Sequence, residues 1–215
     1  GEMIDDIIPL YHSDVFCKKN VGTVEQREDL KKQILLTREK DDSPIDGSNP
    51  GCWRSTVTYQ MDWLYTAMRE LVNDANSIYF KKDPVFEHFV TSSNNLEFST
   101  WTNVNEVGSK NHLHSHKKDA WAGIYYIQAE GTGRLKFYND ANILVECSRK
   151  SPFTRSMEIN PEDGMLIIWP GWVPHEVMEN TSNQQRINIA WGINFQGQKK
   201  DFHKSIDKNS FFIPK

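Results

Sequence analysis

The sequence lacks the features that mark several classes of protein. Its three cysteines, Cys17, Cys52 and Cys147, are far apart and odd in number, so they form neither a disulfide framework nor a CxxC zinc site. No run approaches the roughly 20 apolar residues of a membrane span, and the N-terminus lacks a secretion signal pattern. The net charge of −4 gives no electrostatic signature of nucleic-acid binding. We therefore expect a cytoplasmic protein with neither a nucleic-acid nor a membrane partner.

The 215 residues are enough for one domain, 1–215, with a sizeable core. Helix signals come first along the chain. The stretch 23–36 opens with Thr and Gln at capping-box spacing, and 59–80 carries an apolar stripe at steps of three and four residues. Between them, 41–58 is rich in Pro and Gly and is predicted to be a long loop. We expect the N-terminal part, about 20–90, to be helical.

From about residue 94 the pattern changes to short strands separated by turn residues. The Gly131–Gly133 and Asn180–Asn183 stretches are typical of hairpin turns. This order predicts a mainly β core over about 94–196, a sandwich or barrel with the helices packed on one outer face. The predicted strands are 95–104, 113–116, 121–129, 134–138, 164–169, 173–179 and 186–195.

Histidine is concentrated in one short stretch, NHLHSH. Of only seven histidines in the chain, His112, His114 and His116 occupy alternate positions there. If the stretch is extended, all three imidazoles share one face. This pattern indicates either a metal site or a polar strand edge.

The last predicted strand, RINIAWGINF at 186–195, has an apolar face and a small, polar face. Both the wall of a cavity and a solvent-facing strand would give this alternation. A hairpin centred on the Thr181–Ser182 bond would place His175 opposite Asn188. His175 and Arg186 would then share a face, with backbones about 7–8 Å apart. That distance suits a small dicarboxylate bound to a metal at one end and to a guanidinium at the other.

Six pieces of the chain, in this order, carry a resemblance to a known family. They are WTNV, NHLHSH, AGIYYI, GRLKFYND, PEDGMLIIWPGWVPHEV and RINIAWGINF, within about residues 95–195. Together they resemble the 2-oxoglutarate/Fe(II)-dependent oxygenases, in particular a subfamily from phages and marine bacteria. The resemblance implies a double-stranded β-helix, or jelly roll. It also implies an enzyme that uses Fe(II), 2-oxoglutarate and O₂ to hydroxylate a substrate, with succinate and CO₂ as co-products.

The resemblance further implies roles for single residues. His114, His116 and His175 would be the metal ligands, with His116 at the position of a carboxylate in the wider superfamily. Asp119 is the nearby carboxylate that would complete the triad instead if its loop folds back. His112 would be a solvated residue or a substrate contact. The residues implied to contact 2-oxoglutarate are Arg186, which would bind its distal carboxylate, and Tyr125, Asn111 and Asn188.

Three other functions fit parts of the same pattern. Gly108 precedes His114 at the cupin spacing, which favours a cupin-type isomerase, dioxygenase or small-molecule binding module. The cupin glutamate is missing, because Ala120 and Trp121 follow where it is expected. A three-histidine zinc hydrolase would instead use metal-bound hydroxide. A degenerate jelly-roll binding module would hold the metal structurally, and fold alone does not separate these functions.

The substrate is not encoded in any motif. Both a small molecule and a protein side chain fit the chemistry. The loop-rich stretches 41–58 and 139–158 are predicted to shape the substrate entrance, since long loops are usually functional or disordered. The apolar C-terminal FFIP is compatible with a homodimer interface.

Overall fold

The computed structural model describes residues 14–41, 49, 51–80, 96–138 and 156–195. These residues form two helices, α1 (Val24–Lys40) and α2 (Asp62–Phe80), and ten strands. The strands are β1 (Phe16–Lys18), β2 (Cys52–Ser55), β3 (Leu96–Asn105), β4 (Asn111–His114), β5 (Trp121–Gln128), β6 (Leu135–Phe137), β7 (Met157–Ile159), β8 (Leu166–Pro170), β9 (His175–Val177) and β10 (Arg186–Phe195). The prediction of a mainly β fold is confirmed.

The strands form two antiparallel sheets. The large sheet has the order β1-β8-β5-β10-β3-β2, and the small sheet has the order β4-β9-β6-β7. One buried apolar cluster takes residues from both sheets, which shows that their inner faces pack against each other. This two-sheet arrangement is the predicted jelly roll. The residues contributed by the strands are Ala122, Ile124, Tyr126, Leu135, Phe137, Ile167, Trp169 and Val177.

The outer face of the large sheet packs against the helices. The Tyr65 ring of α2 makes an edge contact with the Trp191 ring of β10, at 6.5 Å between centroids. The Trp121 indole N–H of β5 donates a hydrogen bond of 2.9 Å to the Asn76 side chain of α2. This packing buries the apolar stripe that the sequence shows in 59–80. Ile78 departs from the stripe, since it is 64% exposed.

The predicted capping box is present at the start of α1. The Gln26 backbone N–H donates to the Thr23 hydroxyl, and the Thr23 backbone N–H donates to the Gln26 side chain. These two bonds satisfy N–H groups that no helical carbonyl can reach. Neither of the two described helices is both long enough and apolar enough to cross a bilayer.

The two predicted hairpin turns are corners between the sheets. β5 and β10 belong to the large sheet, whereas β6 and β9 belong to the small sheet, so neither turn joins paired strands. The corners approach each other closely at Gly133, where φ is +105° and a Cβ would lie 2.3 Å from the Met178 carbonyl oxygen. Turn residues mark both positions, but they do not tell whether the chain returns to the same sheet.

Two strands lie in stretches predicted to be loops. β2 falls within 41–58 and pairs with β3 at the edge of the large sheet. β7 begins at the end of 139–158 and pairs with β6. Both are short edge strands, whose periodicity is too brief to read from sequence. Residues 1–13, most of 139–158 and the C-terminal FFIP lie outside the described residues.

Candidate metal centre

Three histidines from two neighbouring segments come together at one edge of the small sheet. His114 of β4 lies directly opposite His175 of β9. His116 follows the end of β4, where its backbone N–H donates to the Gly171 carbonyl at 2.8 Å. One potential ligand atom from each histidine lies within 4.8 Å of those of the other two. The predicted ligand set is therefore brought together.

His112 is outside this cluster, which corrects the expectation that three alternate histidines share a face. The pairing of β4 with β9 is irregular between Asn111 and His114. An advance of three residues along β4 corresponds to only two residues along β9. Such a bulge breaks the alternation of side chains. His112 is exposed, and its carbonyl oxygen accepts a hydrogen bond of 2.7 Å from the His114 ring.

Oxygen atoms lie beside the Nδ1 atom of all three rings. His114 Nδ1 is 2.7 Å from the His112 carbonyl, and His175 Nδ1 is 2.9 Å from the Val173 carbonyl. Because a carbonyl oxygen only accepts, we assign the proton of these two rings to Nδ1. Their Nε2 lone pairs are then free to bind a metal. This arrangement is the usual support of metal-binding histidines.

A carboxylate lies near the third ring. His116 Nδ1 is 3.8 Å from Asp119 Oδ2, while Asp119 Oδ1 accepts a hydrogen bond of 2.8 Å from the Asn194 amide. Asp119 fits there because Gly192 has no side chain: a Cβ on Gly192 would lie 2.4 Å from Asp119 Oδ2. Asp119 thus lies next to His116 but is not part of the three-histidine group.

The surroundings keep two of the imidazoles, His116 and His175, neutral, which is the form that binds metals. Burial, together with the nearby His114, lowers the pKa of His175 to about 3. Burial and His114 also lower the pKa of His116 to about 4. At neutral pH both rings are therefore able to donate a lone pair.

A buried cation lies on the inner face of the large sheet. Arg186 is only 1% exposed, and burial lowers the pKa of its guanidinium. Its Nη1 donates to the Thr132 carbonyl at 2.6 Å, but its Nη2 has no hydrogen-bond partner. No carboxylate of the described residues pairs with it. Burying a charge without a counter-charge costs free energy, so a bound anion next to Arg186 would be stabilising.

Two further polar atoms near Arg186 are buried without partners. The Tyr126 hydroxyl is one, and it is close enough to Arg186 for the two groups to affect each other's pKa. The other is the Oδ1 atom of Asn105, the residue opposite Arg186 in the β3–β10 pairing. Asn105 Oδ1 can only accept a hydrogen bond, whereas the Tyr126 hydroxyl and Arg186 Nη2 can both donate to the carboxylate of a bound ligand.

The structure corrects the predicted role of Tyr125. Its side chain belongs to the cluster packed against the helices, and its hydroxyl donates to the Val21 carbonyl at 2.7 Å. The neighbouring Tyr126 points to the inner side instead. Both faces of β5 are buried, so its sequence does not reveal which tyrosine faces inward.

The two predicted asparagines lie in the polar network of the inner face. Asn188 Oδ1 accepts a hydrogen bond of 2.9 Å from the Asn103 amide. Asn111 Oδ1 is 3.3 Å from the Asn105 amide nitrogen that donates to it. Sequence reasoning missed Asn103 and Asn105, although alternation along β3 places both on one face.

The predicted pairing of His175 with the Asn188 strand is wrong. β9 pairs with β4 and β6, whereas β10 pairs with β3 and β5. His175 and Arg186 nevertheless lie on the inner faces of the two facing sheets. His175 contacts Trp169 of the apolar cluster between the sheets, with ring centroids 4.8 Å apart, and Arg186 lies near Tyr126 of the same cluster.

These residues fit a divalent metal with an anionic cosubstrate. The donor set of three neutral imidazoles leaves coordination positions open for other ligands. The orphaned donors of Arg186 and Tyr126 can receive a carboxylate. The fit rests on these donors, with no ion or ligand in the structure.

Comparison with known protein families finds a match over part of the chain. Residues 99–192 match the family described as "Putative 2OG-Fe(II) oxygenase". The matched segment contains all three histidines and Arg186. Comparison with curated proteins finds no match.

Solved structures of similar fold include several oxygenases. A prolyl-4-hydroxylase from Pseudomonas putida has 15% identity and a TM-score of 0.59, over 85% of this chain and 93% of that chain. A prolyl hydroxylase from Trichoplax adhaerens, in complex with a peptide fragment, has 13% identity and a TM-score of 0.58, over 92% and 87%. HygX from Streptomyces hygroscopicus, with nickel and 2-oxoglutarate bound, has 9% identity and a TM-score of 0.55, over 86% and 84%.

At these identities the solved structures establish the jelly-roll fold alone. The family match covers residues 99–192, and over this segment the chain is similar to the 2OG-Fe(II) oxygenases.

Proposed function

We propose that the chain hydroxylates a C–H bond of its substrate, with Fe(II) held by His114, His116 and His175. Arg186 and Tyr126 bind the distal carboxylate of 2-oxoglutarate. Asn188 and Asn111 belong to the polar wall of the same cavity. The co-products are succinate and CO₂.

The observation that carries this proposal is the unpaired guanidinium of Arg186. It is buried between the sheets, lacks a carboxylate partner among the described residues and keeps one nitrogen without a hydrogen bond. Neither a cupin nor a zinc hydrolase needs a buried cation there. A cosubstrate with two carboxylates does, because its distal end must be neutralised inside the barrel.

Each group then has a defined task. Once bound, Fe(II) and 2-oxoglutarate supply the oxidising chemistry that places an oxygen atom from O₂ on the substrate. The three imidazoles would hold the metal, while the carbonyls of His112 and Val173 fix two of the rings. Arg186 and Tyr126 orient the cosubstrate from its distal end. Trp169 and Phe137 pack against His175 and limit the access of water on that side.

The substrate belongs to the small molecules or the peptides. One similar structure holds a peptide fragment, and HygX has also been crystallised with hygromycin B. We also propose a cytoplasmic location. Cys17 and Cys52 are free thiols, as a reducing compartment would leave them.

Anaerobic titration of the Fe(II)-loaded protein with 2-oxoglutarate tests the proposal. We expect a visible metal-to-ligand charge-transfer band that is lost in His175→Ala. Arg186→Gln should keep metal binding but weaken 2-oxoglutarate binding by at least about 30-fold, because truncating a buried charged partner costs about 2–5 kcal/mol. Circular dichroism confirms that both variants remain folded.

The same titration separates the alternatives. Full occupancy by zinc with no response to the keto acid would support a hydrolase and contradict the oxygenase. Unchanged 2-oxoglutarate affinity in Arg186→Gln would contradict the role given to Arg186.

A further inference from the structure

A second arginine reaches the inner face of the large sheet from its edge. Arg54 lies on β2, opposite Asn103 of β3, which in turn lies opposite Asn188 of β10. The Asn103 and Asn188 side chains are hydrogen-bonded to each other on the inner face. Residues directly opposite each other in neighbouring strands share a face, so Arg54 belongs to this inner polar row.

Contacts connect Arg54 to the metal centre through one aromatic ring. Its guanidinium carbon lies 4.7 Å from the centre of the Trp101 ring. The Trp101 ring lies 5.7 Å from the His116 ring, tilted by 32°. A cation is therefore held beside a ring that itself packs on one of the three histidines. Arg54 therefore lies beside the metal centre.

Arg54 has no hydrogen bond or ion pair with any residue that the structure describes. Its contact is the face of Trp101, which leaves the N–H groups at the edge of the guanidinium plane unoccupied. Arg54 is half-buried, and this burial lowers its pKa. Two other arginines are paired with carboxylates. Arg38 lies 2.6 Å from Glu106, and Arg134 lies 2.7 Å from Glu158.

We propose that Arg54 is the specificity-determining residue for an anionic substrate, whose carboxylate or phosphate it binds beside Trp101. The proposal rests on the proposed function, because it takes the three histidines as the reaction centre. It assigns the substrate to the acids: a small molecule or a peptide with an oxyanion close to the carbon that reacts.

The chemistry of the guanidinium favours this assignment over a purely structural role. A planar guanidinium can stack on an aromatic ring and still offer two parallel N–H groups to one oxyanion. The ring fixes the side chain in advance, so less conformational entropy is lost on binding. Arg54 also lies within 41–58, the stretch that the sequence predicts to shape the entrance.

The two inner arginines differ in solvent exposure, and this difference assigns them to different ligands. Arg186 is enclosed and suits a cosubstrate that enters first and is covered afterwards. Arg54 remains partly open to solvent, as a group that meets a variable substrate must be. The two cations lie in adjacent rows of the inner face, since Arg186 is opposite Asn105 and Arg54 is opposite Asn103.

Matched aromatic probes test the proposal on the full chain loaded with Ni(II) and saturating 2-oxoglutarate. The probes are benzoate, its neutral analogue benzamide, and phenyl phosphate, titrated by calorimetry at millimolar concentrations. We expect at least one of the two anions to bind about tenfold or more tightly than benzamide. The anion that binds more tightly shows whether the site prefers a carboxylate or a phosphate.

Substitutions assign the preference to Arg54. Arg54→Gln should abolish the difference between anion and amide, and Arg54→Lys should retain part of it, because a lysine keeps the charge but loses the planar fork. Arg69→Gln is the matched control. Arg69 also stacks on an aromatic ring, at 5.1 Å from the centre of Phe98, but from helix α2. Arg69→Gln should leave the preference for the anion over the amide intact. Thermal unfolding shows whether each variant is folded.

Two results would overturn the proposal. One is equal binding of anions and amide by the unmodified protein, including no binding of any of them. The other is a preference that survives in Arg54→Gln. A missing 2-oxoglutarate response in the Fe(II) titration would instead overturn the proposed function, and the anion–amide comparison would still decide whether Arg54 is an anion site.

Discussion

The two faces of the large sheet have different compositions although the same strands form them. On the side of the helices, β10 presents Ile187, Ile189, Trp191 and Ile193, all with 0% exposure. On the inner side it presents Arg186, Asn188, Ala190, Gly192 and Asn194. The first face is apolar apart from the Trp191 indole N–H, which has no hydrogen-bond partner, whereas the second face carries the charged Arg186 and the Tyr126 hydroxyl, each with a polar atom that lacks a partner. The difference separates the residues that stabilise the fold from those that are available to a ligand.

The largest effect should come from the apolar face. Trp191→Ala removes the largest fully buried side chain, and we expect the free energy of unfolding to fall by about 3–5 kcal/mol. Ala190→Ser, one residue away on the inner face, should change it by less than about 0.5 kcal/mol. Urea denaturation followed by circular dichroism measures both. A loss below about 1 kcal/mol for Trp191→Ala would remove the distinction between the faces.

A smaller effect is expected where the inner face supports His116. Gly192→Ala should displace the Asp119 carboxylate, and Asp119→Asn should remove its charge while keeping its shape. Each change should weaken metal binding about tenfold, at the lower end of the effects known for groups that support metal ligands. Competition with a coloured chelator measures the affinity.

The double variant shows whether the two residues act through the same contact. If Gly192 acts by leaving room for Asp119, Gly192→Ala combined with Asp119→Asn should be no weaker than either single variant. Additive losses would mean that Gly192 affects the metal by another route.

The sequence predicted the ligand-binding residues better than the strand pairing that positions them. His114, His116, His175 and Arg186 were identified from their spacing and from the family resemblance, and the structure brings the histidines together. The strand pairing behind the Arg186 prediction was wrong, because the corner after β9 leads into the other sheet. Local turn residues carry no information on which sheet receives the next strand.

Positions on fully buried or very short strands were the hardest to predict. β5 is apolar on both faces, so alternation does not distinguish Tyr125 from Tyr126. β2 has four residues and follows a stretch rich in Pro and Gly, which favours a loop. Arg54 was therefore missed as a residue of the inner face. Only the pairing with β3 reveals its orientation.

The adjacent tyrosines of β5 allow the most direct comparison of the two faces with the same chemical change. Tyr125→Phe removes the hydrogen bond to the Val21 carbonyl and should lower the free energy of unfolding by about 1–3 kcal/mol. Tyr126→Phe removes a buried hydroxyl that has no partner, so the metal-free protein should be equally or slightly more stable.

Binding of 2-oxoglutarate should show the opposite pattern. Tyr126→Phe should weaken it roughly threefold to tenfold, the effect of one hydrogen bond, because the unpartnered Tyr126 hydroxyl lies on the inner face near Arg186. Tyr125→Phe should leave the affinity as it is, because its hydroxyl lies on the helix side and is already bonded. The Fe(II) titration measures this affinity, and urea denaturation measures the stability of the same two variants. If Tyr126→Phe destabilises the metal-free protein or binds 2-oxoglutarate normally, its hydroxyl has a structural partner and the inner face is not reserved for the cosubstrate at that point.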